Sequence, residues 1–453
     1  MEILLTPEQW VLDLYPEFED ESNYKLSNYI IKTEINDKIV FIHTITWSIY
    51  ALDKIEFDNI LTNETMIINK IVIPNYFNED ILAHEVYLKR MTPKQLPTFE
   101  KIYGCVILTT TACNARCAYC YENNITKKEV MTLKTAEDIV QYLAEKHHGI
   151  KSPLEIQWFG GEPLLNQTVI DYMVNRFNEL DIPFSSKMIS NGFLFNDETI
   201  EKLDKWKLKH VQITFDGIFD DYNQGKNYVY TDIDAFLTVL NNVHNILDKT
   251  NTKVIIRINI SNENIFKIYD AIEFLKDEFK NNIDKNLSIY IAPIFQIRNE
   301  TENAVDGFWD EIERLKQIVN MPNISKCDIE LNEETFKRKQ INKNCMSFNG
   351  GSLVILPNGN LAPCEHINDE DIYGNIYDGI TNIDVVKKWY TFDSHLLSFC
   401  KNNKCPLQPI CPRFFNCDEH LLCYKEQTKK DRLSKAEQKL IRTYNFWNNI
   451  QNN

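Results

Sequence analysis

The chain has 453 residues, 43% of them hydrophobic, enough to fill the cores of roughly two to four domains. Lys and Arg total 49 against 65 Asp and Glu, and the net charge of −16 argues against a broad basic face for nucleic acid. There is no basic-then-apolar signal segment and no apolar run of about 18 residues, so a cytoplasmic protein with no membrane partner is expected. In a reducing compartment, 12 cysteines point to metal or catalytic use rather than to disulfides.

Residues 1–100 contain two β-like runs, Tyr29–Glu34 and Lys38–His43, joined by a turn at Ile35-Asn36-Asp37. Helix-like stretches follow around Leu52–Leu61 and Asn78–Val86. This is a small α+β module, either a packing cap or a peptide-binding domain that offers a strand edge. Residues 101–320 alternate strand and helix. The expected strands are Cys105–Thr110, Leu154–Phe159, Ser185–Ser190, Val211–Phe215, Lys253–Ile260 and Leu287–Pro293. In Thr135–His148, Ala136, Ile139, Val140 and Leu143 share one helical face, with Thr135 as cap and Gly149 past the end. Further helices fit 168–180, 197–207, 232–249, 264–282 and 304–320. Strands joined by crossover helices form a parallel sheet, here an α/β partial (β/α)6 barrel of the TIM type, whose sites lie at the C-terminal strand ends. Residues 321–430 are cysteine-rich and poor in periodic segments, with a hairpin turn at Asn358-Gly359-Asn360 between Leu353–Leu356 and Leu361. That turn would put Cys345 and Cys364 on neighbouring strands. Residues 431–453 form a tail, with a helix expected over Lys429–Phe446.

The chemistry concentrates in Cys113, Cys117 and Cys120, spaced C-x3-C-x2-C directly after the first barrel strand. Three thiolates on a cluster that takes four leave one iron open to a small molecule. Zinc with a distant fourth ligand is the competing reading. Cys105, inside an apolar strand, reads as a core residue, and His147-His148 reads as a helix end.

These cysteines, with Tyr119 before the last, resemble the cluster loop of the radical S-adenosylmethionine (radical SAM) superfamily. Gly160-Gly161-Glu162-Pro163 is similar to that family's Gly-Gly-Glu-Pro segment and favours iron–sulfur over zinc. Ser190-Asn191-Gly192, Thr214-Phe215-Asp216-Gly217 and Arg257-Ile258-Asn259 follow at the ends of successive strands. The resemblance implies a [4Fe–4S] cluster on Cys113, Cys117 and Cys120, with S-adenosylmethionine chelating its open iron and yielding a 5′-deoxyadenosyl radical. It assigns Gly160 and Gly161 to the methionine moiety, Glu162 to its ammonium, and Asn191, Thr214 and Asn259 to the ribose and carboxylate. Tyr119 would lie by the adenine edge. Ser190, Asp216 and Arg257 complete the cofactor-binding set. No motif names a general acid or base.

Cys345, then Gly359-x4-Cys364, then Cys400, Cys405, Cys411, Cys417 and Cys423 resemble the SPASM extension of peptide-modifying radical SAM enzymes. That resemblance implies two auxiliary [4Fe–4S] clusters, the first on Cys345, Cys364 and Cys417 and the second on Cys400, Cys405, Cys411 and Cys423. Cys327 either completes the first or leaves it open for a substrate thiolate. The spacings C-x4-C and C-x5-C depart from the family's C-x2-C and C-x3-C, and a structural zinc is the competing reading for some of these thiols. The N-terminal module sits where such maturases carry a winged-helix, leader-peptide-binding (RRE-like) domain. The implied activity is cross-linking, through a thioether or carbon–carbon bond, of a ribosomally made precursor peptide with a leader. The reductant would be a flavodoxin or ferredoxin. The alternatives are a sulfatase-maturating, formylglycine-generating enzyme and a non-catalytic iron–sulfur binding or electron-transfer protein.

Overall fold

The computed structural model describes residues 1–18, 23–91, 96–120, 122, 128–283, 285–294, 304–319, 351–365, 369–390 and 405–410, and separate positions between 433 and 448. These residues fall into two compact units. The described residues of one come from Met1–Leu96 and Trp389–Asn453, and those of the other from Pro97–Lys326 and Met346–Lys388.

The first unit is built on an antiparallel sheet of order β1-β5-β4-β3, from β1 (Glu2–Leu5), β3 (Ile30–Ile35), β4 (Lys38–His43) and β5 (Ser48–Asp53). β2 (Tyr24–Leu26) pairs with β6 (Val72–Pro74) in a separate ladder. The turn between β3 and β4 places Asn36 and Asp37 at φ 47° and 64°, the pair of positive angles that matches the twist of a two-residue hairpin. Side chains alternate across the sheet, and both faces are covered. Val40, Ile42, Ile49 and Ala51 pack with Leu407, Ile410, Leu440 and Tyr444, while Phe41, Tyr50 and Leu52 pack with Ile60, Met66 and Val72. Leu52 lies within β5 instead of starting a helix. The helix begins at Lys54 behind a capping box, in which Asp53 accepts the Glu56 N–H and Glu56 accepts that of Asp53.

The second unit contains a sheet of order β12-β11-β10-β9-β8-β7-β13-β14-β15-β16. Its parallel strands are β7 (Gly104–Thr110), β8 (Leu154–Gly160), β9 (Phe184–Ser190), β10 (Leu208–Thr214), β11 (Lys253–Ile260) and β12 (Leu287–Pro293). Each pairs in parallel with the next along the chain, which requires a crossover connection between them. This is the α/β, mostly parallel sheet of a partial barrel. Helices Leu133–His147, Gln167–Glu179, Ala235–Lys249 and Ile268–Glu278 each bury one apolar stripe. Along β10, Val211 and Ile213 are buried, while His210, Gln212 and Thr214, on the opposite face, are half-buried.

β13 (Ser352–Ile355) extends the sheet beyond β7, with Leu353 opposite Cys105. It then turns through Gly359, at φ 86°, into β14 (Asn360–Ala362). β15 (Gly374–Asn375) and β16 (Gly379–Ile380) finish the edge. Three local expectations shift. Thr132, not Thr135, caps the first helix, accepting the Thr135 N–H at 3.1 Å. The stretch expected to be helical over 197–207 is helical only at Asp197–Ile200 before turns that end with Lys207 at φ 51°. Phe219–Lys226 is a helix that periodicity did not reveal, because only Tyr222 and Lys226 are buried on it. In the C-terminal tail, the described positions Leu433, Ala436, Leu440, Tyr444 and Trp447 are helical. No helix among the described residues is long and apolar enough to cross a membrane.

Candidate active site

β7 ends at Thr110, and the loop that follows carries Cys113, Cys117 and Cys120, all half-buried free thiols. The loop is held at its base by the Thr110 hydroxyl and the Thr111 N–H, both donating to the Glu129 carbonyl, at 2.8 and 2.9 Å. Beside it, the end of β8 is laced on by Gly161 N–H to Thr110 O (3.1 Å) and Glu162 N–H to Ala112 O (2.9 Å). A Cβ on Gly160 would stand 2.1 Å from Thr110 O, and one on Gly161 would stand 2.4 Å from Ala112 O. The glycine pair therefore admits the cysteine loop's own backbone.

Glu162 lies in the same layer. Its carboxylate is fully buried and accepts the Leu164 N–H (3.1 Å), the Asn191 N–H (2.8 Å) and the Ser190 hydroxyl (3.0 Å to one oxygen). It ties the segment after β8 to the end of β9. Burial pushes it up to about 7 despite those donors. The Asn191 side chain turns toward the loop, its Nδ2 lying 2.7 Å from Asn114 Oδ1 and 3.9 Å from Cys113 Sγ.

At the ends of β10 and β11 a second network forms around a residue that the motifs do not name. Lys226 is 2% exposed, and its ammonium donates to Asp216 (2.6 Å), Thr214 Oγ1 (2.7 Å) and the Tyr119 hydroxyl (3.0 Å). Tyr119 donates to Asp216 in turn. The other Asp216 oxygen takes the Asn259 N–H at 3.0 Å, and Arg257 Nε donates to Asn259 Oδ1 at 2.8 Å. Burial works to strip the Lys226 proton, but the Asp216 charge holds it, so the lysine stays charged with its pKa well above the usual lysine range. Asp216 is thus occupied by protein partners. The signal that could have found Lys226 is its distance from Asp216-Gly217, one short helix on.

The structure brings Cys113, Cys117, Cys120, Tyr119, Asn191, Thr214, Asp216 and Asn259 into one hydrogen-bonded neighbourhood at the C-terminal strand ends. Gly160, Gly161, Glu162 and Ser190 form the layer beneath it. Cys364 follows β14 and Cys405 belongs to the other unit. Cys327, Cys345, Cys400, Cys411, Cys417 and Cys423 lie outside the described residues. Cys105 is buried in β7. His147 is buried between two carbonyls, with Nδ1 2.9 Å from Ile102 O and Nε2 3.0 Å from Ser152 O.

Among the described residues no three His, Cys, Asp or Glu side chains converge on a single metal ion. A [4Fe–4S] cubane would take one thiolate at each of three separate corners, and three thiols on one loop are donors of the type it needs. Burial first, then the Glu162 charge, pushes the Cys113 thiol up to about 12, and burial raises Cys120. These thiols stay protonated until a cation replaces the proton. Asn114 Nδ2, buried beside Cys113, is a donor with no partner among the described residues, as a neighbouring cluster sulfur would require.

Residues 107–275 match the Radical SAM superfamily. The chain is 24% identical over 383 residues to the radical SAM cyclopropyl synthase TigE of Paramaledivibacter caminithermalis, covering 79% of this chain and 75% of that one. It is 26% identical over 202 residues to the sporulation killing factor maturation protein SkfB of Bacillus subtilis, 44% of each chain. Across the relatives matched, the chain spans from 35% to 75% of the relative's own length. Among solved structures, native anSMEcpe with bound AdoMet superposes with a TM-score of 0.54 at 15% identity, over 77% of this chain and 100% of that one, a likeness of fold.

Proposed function

From a chain that carries a radical SAM domain over residues 107–275, we propose a cytoplasmic maturase that acts on a ribosomally made peptide and closes a thioether or carbon–carbon cross-link. The observation that carries this reading is the three-thiol loop at the C-terminal end of β7, which also carries Tyr119, with Asn191, Thr214 and Asn259 beside it from successive strand ends. Similarity to TigE, a radical SAM cyclopropyl synthase, over most of the chain supports the radical chemistry, and similarity to SkfB, a maturation protein, supports the maturase reading.

A [4Fe–4S] cluster with S-adenosylmethionine supplies, when bound, a 5′-deoxyadenosyl radical that abstracts hydrogen. Cys113, Cys117 and Cys120 hold the cluster as thiolates. Asn114 and Asn191 offer N–H donors beside Cys113. Arg257, half-buried with its Nε on Asn259, is a cation for the cosubstrate's carboxylate. Thr214, Asn259 and Tyr119 line the polar rim that orients the rest of it. Glu162, Ser190, Gly160 and Gly161 act one layer down, fixing the loop against β8 and β9.

The reading extends to residues 321–430 as a SPASM module, in which Cys364 and Cys405 are auxiliary-cluster ligands together with the cysteines outside the described residues. It assigns residues 1–100 to the peptide's leader, with a flavodoxin or ferredoxin as reductant. The test is anaerobic reconstitution, reduction and addition of S-adenosylmethionine, with 5′-deoxyadenosine as the first readout. A candidate precursor should then lose two hydrogens and resist thiol reduction. A hydrazide-reactive aldehyde on a sulfatase-type peptide would select formylglycine chemistry instead. Intact clusters without 5′-deoxyadenosine would leave an electron-transfer protein.

A further inference from the structure

Lys226 touches the cysteine loop with both of its ends. Its carbonyl oxygen accepts the Arg116 N–H at 2.9 Å and lies 3.8 Å from Cys117 Sγ. Its ammonium donates to the hydroxyl of Tyr119, the residue directly before Cys120, at 3.0 Å. Between these two contacts the side chain is buried, and its helix ends at once in Asn227, at φ 46°. Two residues later, Val229 N–H donates to Asn114 O at 2.9 Å, so the same segment also reaches the residue after Cys113.

We propose that Lys226 is a positioning residue for the three thiols: one residue that meets the Cys113–Cys117 arm through its backbone carbonyl and fixes the Tyr119–Cys120 arm through its ammonium. An ammonium suits the task because it has three N–H donors and here faces three acceptors, Asp216 Oδ2, Thr214 Oγ1 and Tyr119 OH. Asp216 keeps the charge compensated in a buried site, where a lone cation would be costly. The other Asp216 oxygen accepts the Asn259 N–H, so the brace is also tied to the end of β11. At 2% exposure Lys226 cannot reach a substrate, and its effect on chemistry runs through the loop.

The proposal rests on reading Cys113, Cys117 and Cys120 as the cluster loop, but its first test needs no cluster. In metal-free, reduced protein, the rates at which iodoacetamide labels Cys113, Cys117 and Cys120 are compared by peptide mass spectrometry. Lys226→Met is expected to speed labelling of Cys120 by about fivefold or more, with Cys117, which meets the residue-226 carbonyl that the substitution keeps, changed less and buried Cys105 still unlabelled. Unchanged rates overturn the proposal. The double variant Lys226→Met/Asp216→Asn removes both charges and should recover the thermal midpoint while labelling stays fast. If it also restores wild-type labelling, Lys226 served charge balance alone and the proposal fails.

Should Lys226→Met not fold, Tyr119→Phe decides. It deletes only the hydroxyl, and Cys120 must label faster while the Lys226–Asp216 pair stays intact; an unchanged rate overturns the brace. The second readout is spectroscopic. After anaerobic reconstitution, the change that S-adenosylmethionine induces in the reduced cluster's paramagnetic resonance signal should be lost or altered in the double variant, and an unaltered response counts against the proposal. Wild-type protein that takes up no iron would remove the cluster reading while leaving the labelling comparison valid.

Discussion

The Glu162 carboxylate accepts the backbone N–H of Asn191 at 2.8 Å, joining the segment after β8 to the end of β9 through a fully buried acid. On Asn191 the same residue that feeds Glu162 with its N–H also points its side chain at Asn114 and Cys113. The buried acid therefore sets the floor on which the thiol loop stands.

That acid makes stability depend on pH. Burial raises Glu162 from 4.5 to about 7, so between those values the native state keeps a proton that the unfolded chain releases. The associated stability is fully present below about 4.5 and is lost as pH rises through about 7, on the order of 3 kcal/mol in all. Urea unfolding of metal-free Glu162→Gln at about pH 5 and about pH 8 should show a smaller difference than the wild type does. An equal difference in the two proteins would remove the buried acid from the account.

The glycine pair after β8 should tolerate no side chain. Gly161→Ala puts a Cβ 2.4 Å from Ala112 O and should cost about 1–3 kcal/mol by overpacking. Gly160→Ala adds the strain of φ 135°, worth about 1–3 kcal/mol more. Both variants should lose iron on reconstitution, because the displaced backbone is that of the cysteine loop. Gly149→Ala is the control. It carries φ 78° with nothing within 4 Å of the added methyl, so it should lose some stability and no iron.

Cys105 separates core from ligand. It is 3% exposed inside β7, and burial lifts its thiol far above the ordinary range. Cys105→Ala should cost about 1–2 kcal/mol in urea unfolding through the lost packing. Iron content per chain should be unchanged, and a fall in iron would return this thiol to the ligand set.

The partial barrel was legible because β7 to β12 are short apolar runs separated by helices with one clear stripe each. Ala136, Ile139, Val140 and Leu143, placed on one face by spacing alone, are all fully buried. The thiol loop was legible from its spacing and from its place after a strand. What the sequence concealed was long-range. β13 pairs with β7 across more than 240 residues, a partnership that no local pattern encodes. Glu162 and Asp216 were read as reaching for a cofactor. Their protein partners, Leu164, Ser190 and Asn191 for the first and Lys226, Tyr119 and Asn259 for the second, are set by long-range packing that no motif encodes. Lys226 stayed hidden because a lone lysine in a polar helix reads as solvent-exposed until its burial is known.

The central claim is that Cys113, Cys117 and Cys120 hold an iron–sulfur cluster with one iron open to S-adenosylmethionine. Paramagnetic resonance of the anaerobically reconstituted, reduced protein, recorded before and after the cosubstrate is added, tests it most directly. The account predicts a cluster signal that changes shape on addition, and no such change when all three cysteines are replaced by alanine. A wild-type signal indifferent to the cosubstrate, or a response that survives in the triple variant, would contradict it.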